Sequence, residues 1–379
     1  MSVCGVDDGT LFGENVMKRR NLLLLLVVVL VAGCFPISLS VAPDGRMALV
    51  REEGVVIYDL EKNSAEVVIK PPEGKQAAWV AFSRDGKKLM CVMMTENSAG
   101  DVYIASGDGK NAKKLFTSEQ PMAYATWSPD GKHVAVGEVS QESKKDLGNL
   151  VNVKVISVAT GKSASVASDV TQIHDWSGDS KAIVAFQAEK KVGENGIGGK
   201  LVRFEIDGEA KTLAKAIAGK ELSVDVSADG KTVLLAASAA AAPDGDDPKA
   251  PAKPDQNRLY AVGAAGGKPR RIFRDPIACA FFSPDDAHIL ISTTGKTLVV
   301  TDAAGKNAVD VDTGILNKSP GMMDSVRMLP TWASNDRVIY WKTHAVIGMK
   351  GKNIATTSAK IDGTEKTNLQ PKMDWLLVR

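Results

Sequence analysis

The chain has 379 residues, 44% of them hydrophobic and 24% charged, which allows a sizeable core and excludes a disordered chain or a multi-span membrane protein. Lys and Arg number 47 against 45 Asp and Glu, and the resulting +2 is too weak a field to mark a nucleic-acid binder. Basic pairs such as Lys144-Lys145 and Arg270-Arg271 are scattered and read as solvated strand ends or turns, so no nucleic-acid partner is expected. No linker divides the chain into two globular units, which favours one large repetitive domain.

The first element in chain order is an export signal. Lys18-Arg19-Arg20 precedes an unbroken apolar run from Leu22 to Ala32, followed by Gly33-Cys34. The run is too short to span a bilayer comfortably, but it fits the basic n-region and short h-region of a signal peptide. Leu30-Val31-Ala32-Gly33-Cys34 resembles the bacterial lipobox, which implies acylation of Cys34 and cleavage before it. The alternative is an uncleaved single-pass anchor. Met17 stands directly before the basic triplet, so 1–16 reads as an extension or mis-assigned start, 17–33 as the signal peptide and 34–379 as the folded, exported part. Phe35 rather than Asp follows the cysteine, which by analogy with sorting rules favours an outer-membrane anchor facing the periplasm where the host has two membranes.

A repeated turn follows. Trp127-Ser128-Pro129-Asp130-Gly131-Lys132 is echoed by Val41-Ala42-Pro43-Asp44-Gly45-Arg46, Phe82-Ser83-Arg84-Asp85-Gly86-Lys87 and Val226-Ser227-Ala228-Asp229-Gly230-Lys231. Looser copies are Trp176-Ser177-Gly178-Asp179-Ser180, Phe282-Ser283-Pro284-Asp285-Asp286 and Trp332-Ala333-Ser334-Asn335-Asp336. The acid or amide falls at 44, 85, 130, 179, 229, 285 and 335, a spacing of 41 to 56 residues that suits a propeller blade. In this turn Pro fixes φ, Asp caps the local backbone and Gly accepts positive φ before the next strand. Second strands are expected at Lys88 to Met94, His133 to Val136, Thr232 to Leu235 and His288 to Ser292. Third strands are expected at Val55 to Tyr58, Val102 to Ile104, Val151 to Val158, Leu201 to Ile206, Arg258 to Val262 and Thr297 to Thr301. A Gly-rich turn and a short fourth strand close each unit.

Four antiparallel strands per unit without intervening helices define an all-β fold, a single β-propeller of about seven four-stranded blades, with six or eight possible. The residues heading the turns, Phe82, Trp127, Trp176, Phe282 and Trp332 among them, are expected to fill the wedge between neighbouring blades. Cys91 and Cys279 fall in the second and sixth repeats, too far apart for a disulfide, and read as buried free thiols. The turn motif resembles the TolB-type, WD40-like (PD40) propeller repeat over nearly the whole exported chain. That resemblance implies a fold and leaves function open, since the family includes protein-interaction scaffolds and propellers fused to hydrolases.

Chemistry is sparse. No Gly-x-Ser-x-Gly elbow is present, and with Arg379 soon after the seventh repeat no fused hydrolase domain is expected. His133, His174, His288 and His344 are isolated, without metal-ligand spacing, and Asp244-Gly245-Asp246-Asp247 lacks the order of a calcium loop and reads as a flexible insertion, so no metal or cofactor is expected. The candidate binding residues are His174, Asp175, Asp225, Asp324 and Arg327, the first two on a channel-lining strand. Connections between second and third strands lengthen at Ser140 to Gly148, Ala188 to Lys200, Ser238 to Asn257 and Lys342 to Lys352, and are expected to add partner-binding surface to one face without disturbing the ladders. The leading reading is a membrane-anchored, non-catalytic scaffold for an envelope protein or peptide. A propeller hydrolase or lactonase with a channel-mouth site, and a binder of carbohydrate or cell-wall fragments, stay open.

Overall fold

The computed structural model describes residues 39–44, 46–59, 64–141, 147, 150–194, 196–218, 222–249, 256–315, 330–344 and 353–368. The expected signal segment and Cys34 lie outside them. Among the described residues every regular element is a strand, and no helix is long and apolar enough to cross a membrane.

The first antiparallel sheet is β1 (Leu39–Val41), β2 (Arg46–Arg51), β3 (Gly54–Asp59) and β4 (Ser64–Ile69), paired in chain order. The second is β5 (Gln76–Phe82), β6 (Lys88–Met94), β7 (Gly100–Ser106) and β8 (Lys113–Ser118). The third and fourth repeats share one eight-stranded sheet: β9 (Met122–Trp127), β10 (His133–Val139), β11 (Val151–Ser157), β12 (Ser163–Trp176), β13 (Ala182–Val192), β14 (Gly196–Glu205), β15 (Ala210–Ala218) and, out of order at its edge, β18 (Ala239–Ala241). The fifth repeat is β16 (Ser223–Val226), β17 (Thr232–Ala237), β19 (Arg258–Gly263) and β20 (Arg270–Arg271). The last two are β21 (Ile277–Phe282), β22 (His288–Thr293), β23 (Thr297–Asp302) and β24 (Val309–Thr313), then β25 (Thr331–Ser334), β26 (Arg337–His344), β27 (Asn353–Lys360) and β28 (Thr367–Asn368).

The turn between first and second strands forms because a serine and an aspartate two residues on close a local network. Ser83 Oγ donates to Asp85 at 2.7 Å, the Lys87 amide donates to the same carboxylate at 3.1 Å, and the Lys88 amide donates back to Ser83 Oγ at 3.0 Å. The network recurs at Ser128–Asp130, Ser177–Asp179, Ser227–Asp229 and Ser283–Asp285. In the seventh copy Ser334 donates to Asp336 at 2.6 Å, so the motif acid there is Asp336 and not Asn335. A register shift between Trp332 and Ser334 supplies the extra residue.

The fourth turn position has positive φ, as at Gly131 (+65°) and Gly230 (+69°). Ser180 (+61°) and Asp286 (+60°) accept the strain and put a side chain on the preceding repeat. Ser180 Oγ accepts the Asp130 amide at 3.0 Å, and Asp286 accepts the Ala228 and Asp229 amides at 2.7 and 2.9 Å.

The second strands of the second to sixth repeats are covered on both faces, which is why they read as continuous apolar runs. In β6, Leu89, Cys91 and Met93 pack with Val55 and Ile57 of the first sheet, whereas Met90 and Val92 pack with Val134, Val136 and Ile156 of the third repeat. The same alternation puts Ile183 and Ala185 of β13 against the third repeat, and Val184 and Phe186 against Val233 and Leu235 of the fifth. Clusters of this kind link the sheets consecutively from first to last. The heads of the turns lie in them as expected: Phe82, Trp127, Trp176, Phe282 and Trp332 each occupy a cluster shared with the preceding repeat. Trp127 Nε1 also donates to the Ala81 carbonyl at 2.9 Å. Cys91 and Cys279 are buried thiols outside any disulfide, and burial pushes Cys91 up to about 12.

Two of the lengthened connections differ from expectation, because they extend the ladders instead of sparing them. Residues 188–200 form a hairpin in which Ala188 pairs with Gly199 and Val192 with Gly196. Ala239–Ala241, from the 238–257 connection, crosses to the neighbouring repeat and pairs with Ile217, Ala216 and Lys215 of β15. Asp247 is not part of a free acidic loop either, since it bridges Lys190 at 2.7 Å and Lys215 at 3.6 Å. Residues 345–352 of the last connection lie outside the described residues.

Candidate functional site

Of the sequence-derived site residues, the structure brings Asp175 and Asp225 together. Each immediately precedes the head of its turn, on the first strands β12 and β16 of neighbouring repeats. Asp175 Oδ1 accepts its own neighbour's amide, Trp176 N, at 2.7 Å, and Oδ2 accepts Val226 N of the next repeat at 2.9 Å. Asp225 Oδ2 accepts Phe282 N, one repeat further on, at 2.6 Å. The two carboxyls are hydrogen-bonded to each other, and burial raises both above the ordinary carboxylate range. The charge of Asp175 raises Asp225 further, with a smaller contribution from Asp286, while the backbone amides oppose the shift. The two carboxyls therefore titrate as a pair, above the range of isolated carboxylates, with Asp225 raised the more strongly.

This arrangement can titrate, but its oxygens are occupied: both of Asp175 and one of Asp225 receive backbone N–H groups, and the carboxyls face each other. It stitches three consecutive first strands together. Ser40, at the same place in the first repeat, does likewise by accepting Phe82 N at 2.9 Å. His174 lies beside Asp175 in β12, its backbone paired with Ala185. Asp324 and Arg327 lie outside the described residues.

Other polar groups were not singled out in the sequence. Glu138 is buried at the end of β10, where it accepts Ser118 Oγ at 2.6 Å and pairs with Lys154 at 2.7 Å, whose ammonium lies 5.7 Å from the Phe116 ring centroid. Asp312 accepts Tyr340 Oη at 2.5 Å and pairs with Lys342. Asp101 pairs with Lys75 and accepts Thr117 Oγ1 at 2.7 Å. Each is a carboxylate buried at the edge of a strand and neutralised by a half-buried lysine, a pattern that hydrophobic periodicity hides because the residue occupies a core position. Beside the irregular pairing of β11 with β12, where the register shifts at Val151/Val153 and Val153/Lys154, lies a cavity of about 810 Å³ lined by Gln120, Gln141, Asn152, Ser165, Asp169 and Phe204 among others. Among the described residues no cluster of three or more potential metal ligands occurs.

No family model matches the chain. Among solved structures it is similar to an acylaminoacyl peptidase from Pyrococcus horikoshii, at 15% identity and a TM-score of 0.55, covering 90% of this chain and 54% of that one. It is also similar to an oligogalacturonate lyase in complex with manganese, at 16% identity and a TM-score of 0.50, covering 67% and 72% of the two chains. TolB from Acinetobacter baumannii aligns at 15% identity and a TM-score of 0.48, over 87% of this chain and 77% of that one. The chain thus spans about half the length of the peptidase it resembles. The likeness is one of fold: this is an all-β propeller, the fold also found in oligogalacturonate lyase and in prolyl peptidase propeller domains.

Proposed function

We propose that the chain is a lipid-anchored, non-catalytic β-propeller of seven four-stranded blades that serves as a protein-interaction scaffold in the bacterial cell envelope. In this reading residues 17–33 are the signal peptide, Cys34 carries the lipid, and 34–379 form the propeller. An outer-membrane anchor facing the periplasm is favoured by Phe35. Closure of the ring is supported by Leu49 and Tyr58, 1% and 2% exposed on the face of the first sheet turned away from the second, where a seventh blade would cover them.

The observation that carries the scaffold reading is the ordered build-up between second and third strands of the fourth and fifth repeats, where a hairpin and a crossing strand enlarge one face. The use of Asp175 and Asp225 to hold backbone amides supports a structural over a catalytic role for the pair. Capture from solubilised envelopes with the wild-type chain, compared with a chain whose 188–200 hairpin is shortened to the length of the sixth repeat's connection, tests the reading. A specific envelope protein or peptide retained by the first and lost by the second is expected. Equal retention, or retention of none, would overturn it.

The cavity beside β12 favours a second reading, carbohydrate binding, because Gln120, Gln141, Asn152 and Ser165 offer the neutral donors and acceptors that hydroxyls require. Calorimetric titration with neutral oligosaccharides separates the two: heat lost in Asn152→Ala would support it, and no heat in the wild type would dismiss it.

A further inference from the structure

The crossing strand β18 is an unusual edge. Its three alanines are half-buried, its ladder with Lys215, Ala216 and Ile217 is three residues long, and Pro243 ends it soon afterwards. Alanine contributes little to a strand, so pairing there rests on backbone hydrogen bonds and on Ala240, which packs against the cluster shared by the fourth and fifth repeats. Beyond Pro243 two lysines pin the chain: Lys190 holds Asp247 at 2.7 Å, and Lys215 donates to the Gly245 carbonyl at 2.7 Å. The Lys190–Asp247 pair is 60% and 59% exposed, so it is solvent-screened and weak. Beneath the strap, by contrast, β15 is firmly built into its sheet, with Leu213, Ala214 and Ala216 at most 1% exposed.

We propose that Ala239–Asp247 is a detachable strap, and that the edge of β15 which it covers is a docking site for an extended, acidic peptide of a partner protein. The inference rests on the scaffold reading and deepens it. The strap shows the partner's chemistry. Small residues must lie opposite Lys215, Ala216 and Ile217, since the strand passes over the fourth repeat's edge with Ala240 against the core. A carboxylate about six residues later must reach Lys190 and Lys215, as Asp247 does. Strand addition supplies main-chain affinity, and the two lysines supply direction and selectivity.

A labelled synthetic peptide with the sequence of residues 238–247 serves as the probe, with fluorescence anisotropy as the readout. Ala241→Pro combined with Asp247→Lys should unpin the strap by deleting a ladder N–H opposite Lys215 and reversing the ion pair. That variant is expected to bind the peptide at least tenfold more tightly than the wild type, and adding Lys190→Ala and Lys215→Ala, which removes the peptide carboxylate's partners without re-pinning the strap, should abolish the gain. A folded, unpinned variant that binds no better than the wild type would overturn the proposal. Should the variant fail to fold, Ala216→Cys with Ala240→Cys offers a separate test. Amide exchange at Lys215 and Ile217, whose backbone groups face the strap, should be at least tenfold slower in the oxidised pair than in the wild type. Equal rates would show that the strap does not open. Peptide binding together with a failed envelope capture would leave the edge intact and remove the scaffold, whereas the converse would move the partner's contact to another surface.

Discussion

At the scale of single residues the turn motif divides its labour among side chains. Serine serves as both donor and acceptor, aspartate gathers a hydroxyl and an amide, and the hydrogen bond to serine or to the backbone holds Asp85, Asp229 and Asp285 below the usual carboxylate range. A folded value below the unfolded one contributes stability that is present above about pH 4 and lost as pH falls through the folded value. A chain carrying Asp85→Asn, Asp229→Asn and Asp285→Asn together should therefore be less stable at pH 7 but lose less stability on acidification, so that its curve converges with that of the wild type as pH falls. Denaturant midpoints between pH 2 and 7 measure this, and parallel curves for the two proteins would refute it. Gly178 is a different case, because a Cβ there would lie 2.2 Å from the Ala228 carbonyl oxygen of the next repeat. Gly178→Ala should cost about 1–3 kcal/mol by forcing the two turns apart, against little change for Gly193→Ala's neighbour Glu194→Ala on the hairpin tip. Trp127→Ala and Trp176→Ala, which remove rings 8% and 3% exposed between repeats, should each cost about 3 kcal/mol or more in a denaturant titration.

At the scale of strands and turns the sequence is legible where a side chain has a local reason to be there. Ser-x-Asp fixes the turn, the alternation of Leu89 to Met93 fixes a two-faced strand, and the second strand of the second repeat begins and ends at Lys88 and Met94 as read. What escapes is set by partners distant in the chain. Ala239–Ala241 has no pattern that distinguishes a spacer from a strand, because its register comes from the edge of β15. The motif acid of the seventh turn is displaced by one residue because a bulge, which leaves no residue signature, precedes Ser334. For the acid pair, position was the available signal: Ser40, Asp175 and Asp225 all stand directly before a turn head, and each accepts the amide of the next head. Because both acids are raised, their contribution to stability is greatest below about pH 4 and declines as pH rises through the folded values. Asp225→Asn keeps an acceptor for Phe282 N and a permanent donor for Asp175, so its melting temperature relative to wild type should rise between pH 5 and 9. A difference independent of pH would show that the pair does not titrate there.

At the scale of the molecule, clusters that join each sheet to the next make stability a property of neighbours. The strand β12 breaks that regularity, since its first half closes the third repeat and its second half opens the fourth without an intervening connection. Elsewhere a repeat could open while its neighbour stays paired, at the loss of one interface. Here, separating the two repeats would require tearing one strand out of two ladders, so the third and fourth repeats should form a single cooperative unit of unfolding. Native-state hydrogen exchange should give β10 and β13 the same opening free energy. Circular permutants with new ends within 168–175 should fail, while those cut at Gly74, an exposed turn between the first two sheets, should fold. In a chain of repeated units every joint is a place to come apart, and in this protein one of the joints has been sealed by a strand that runs through it without a break.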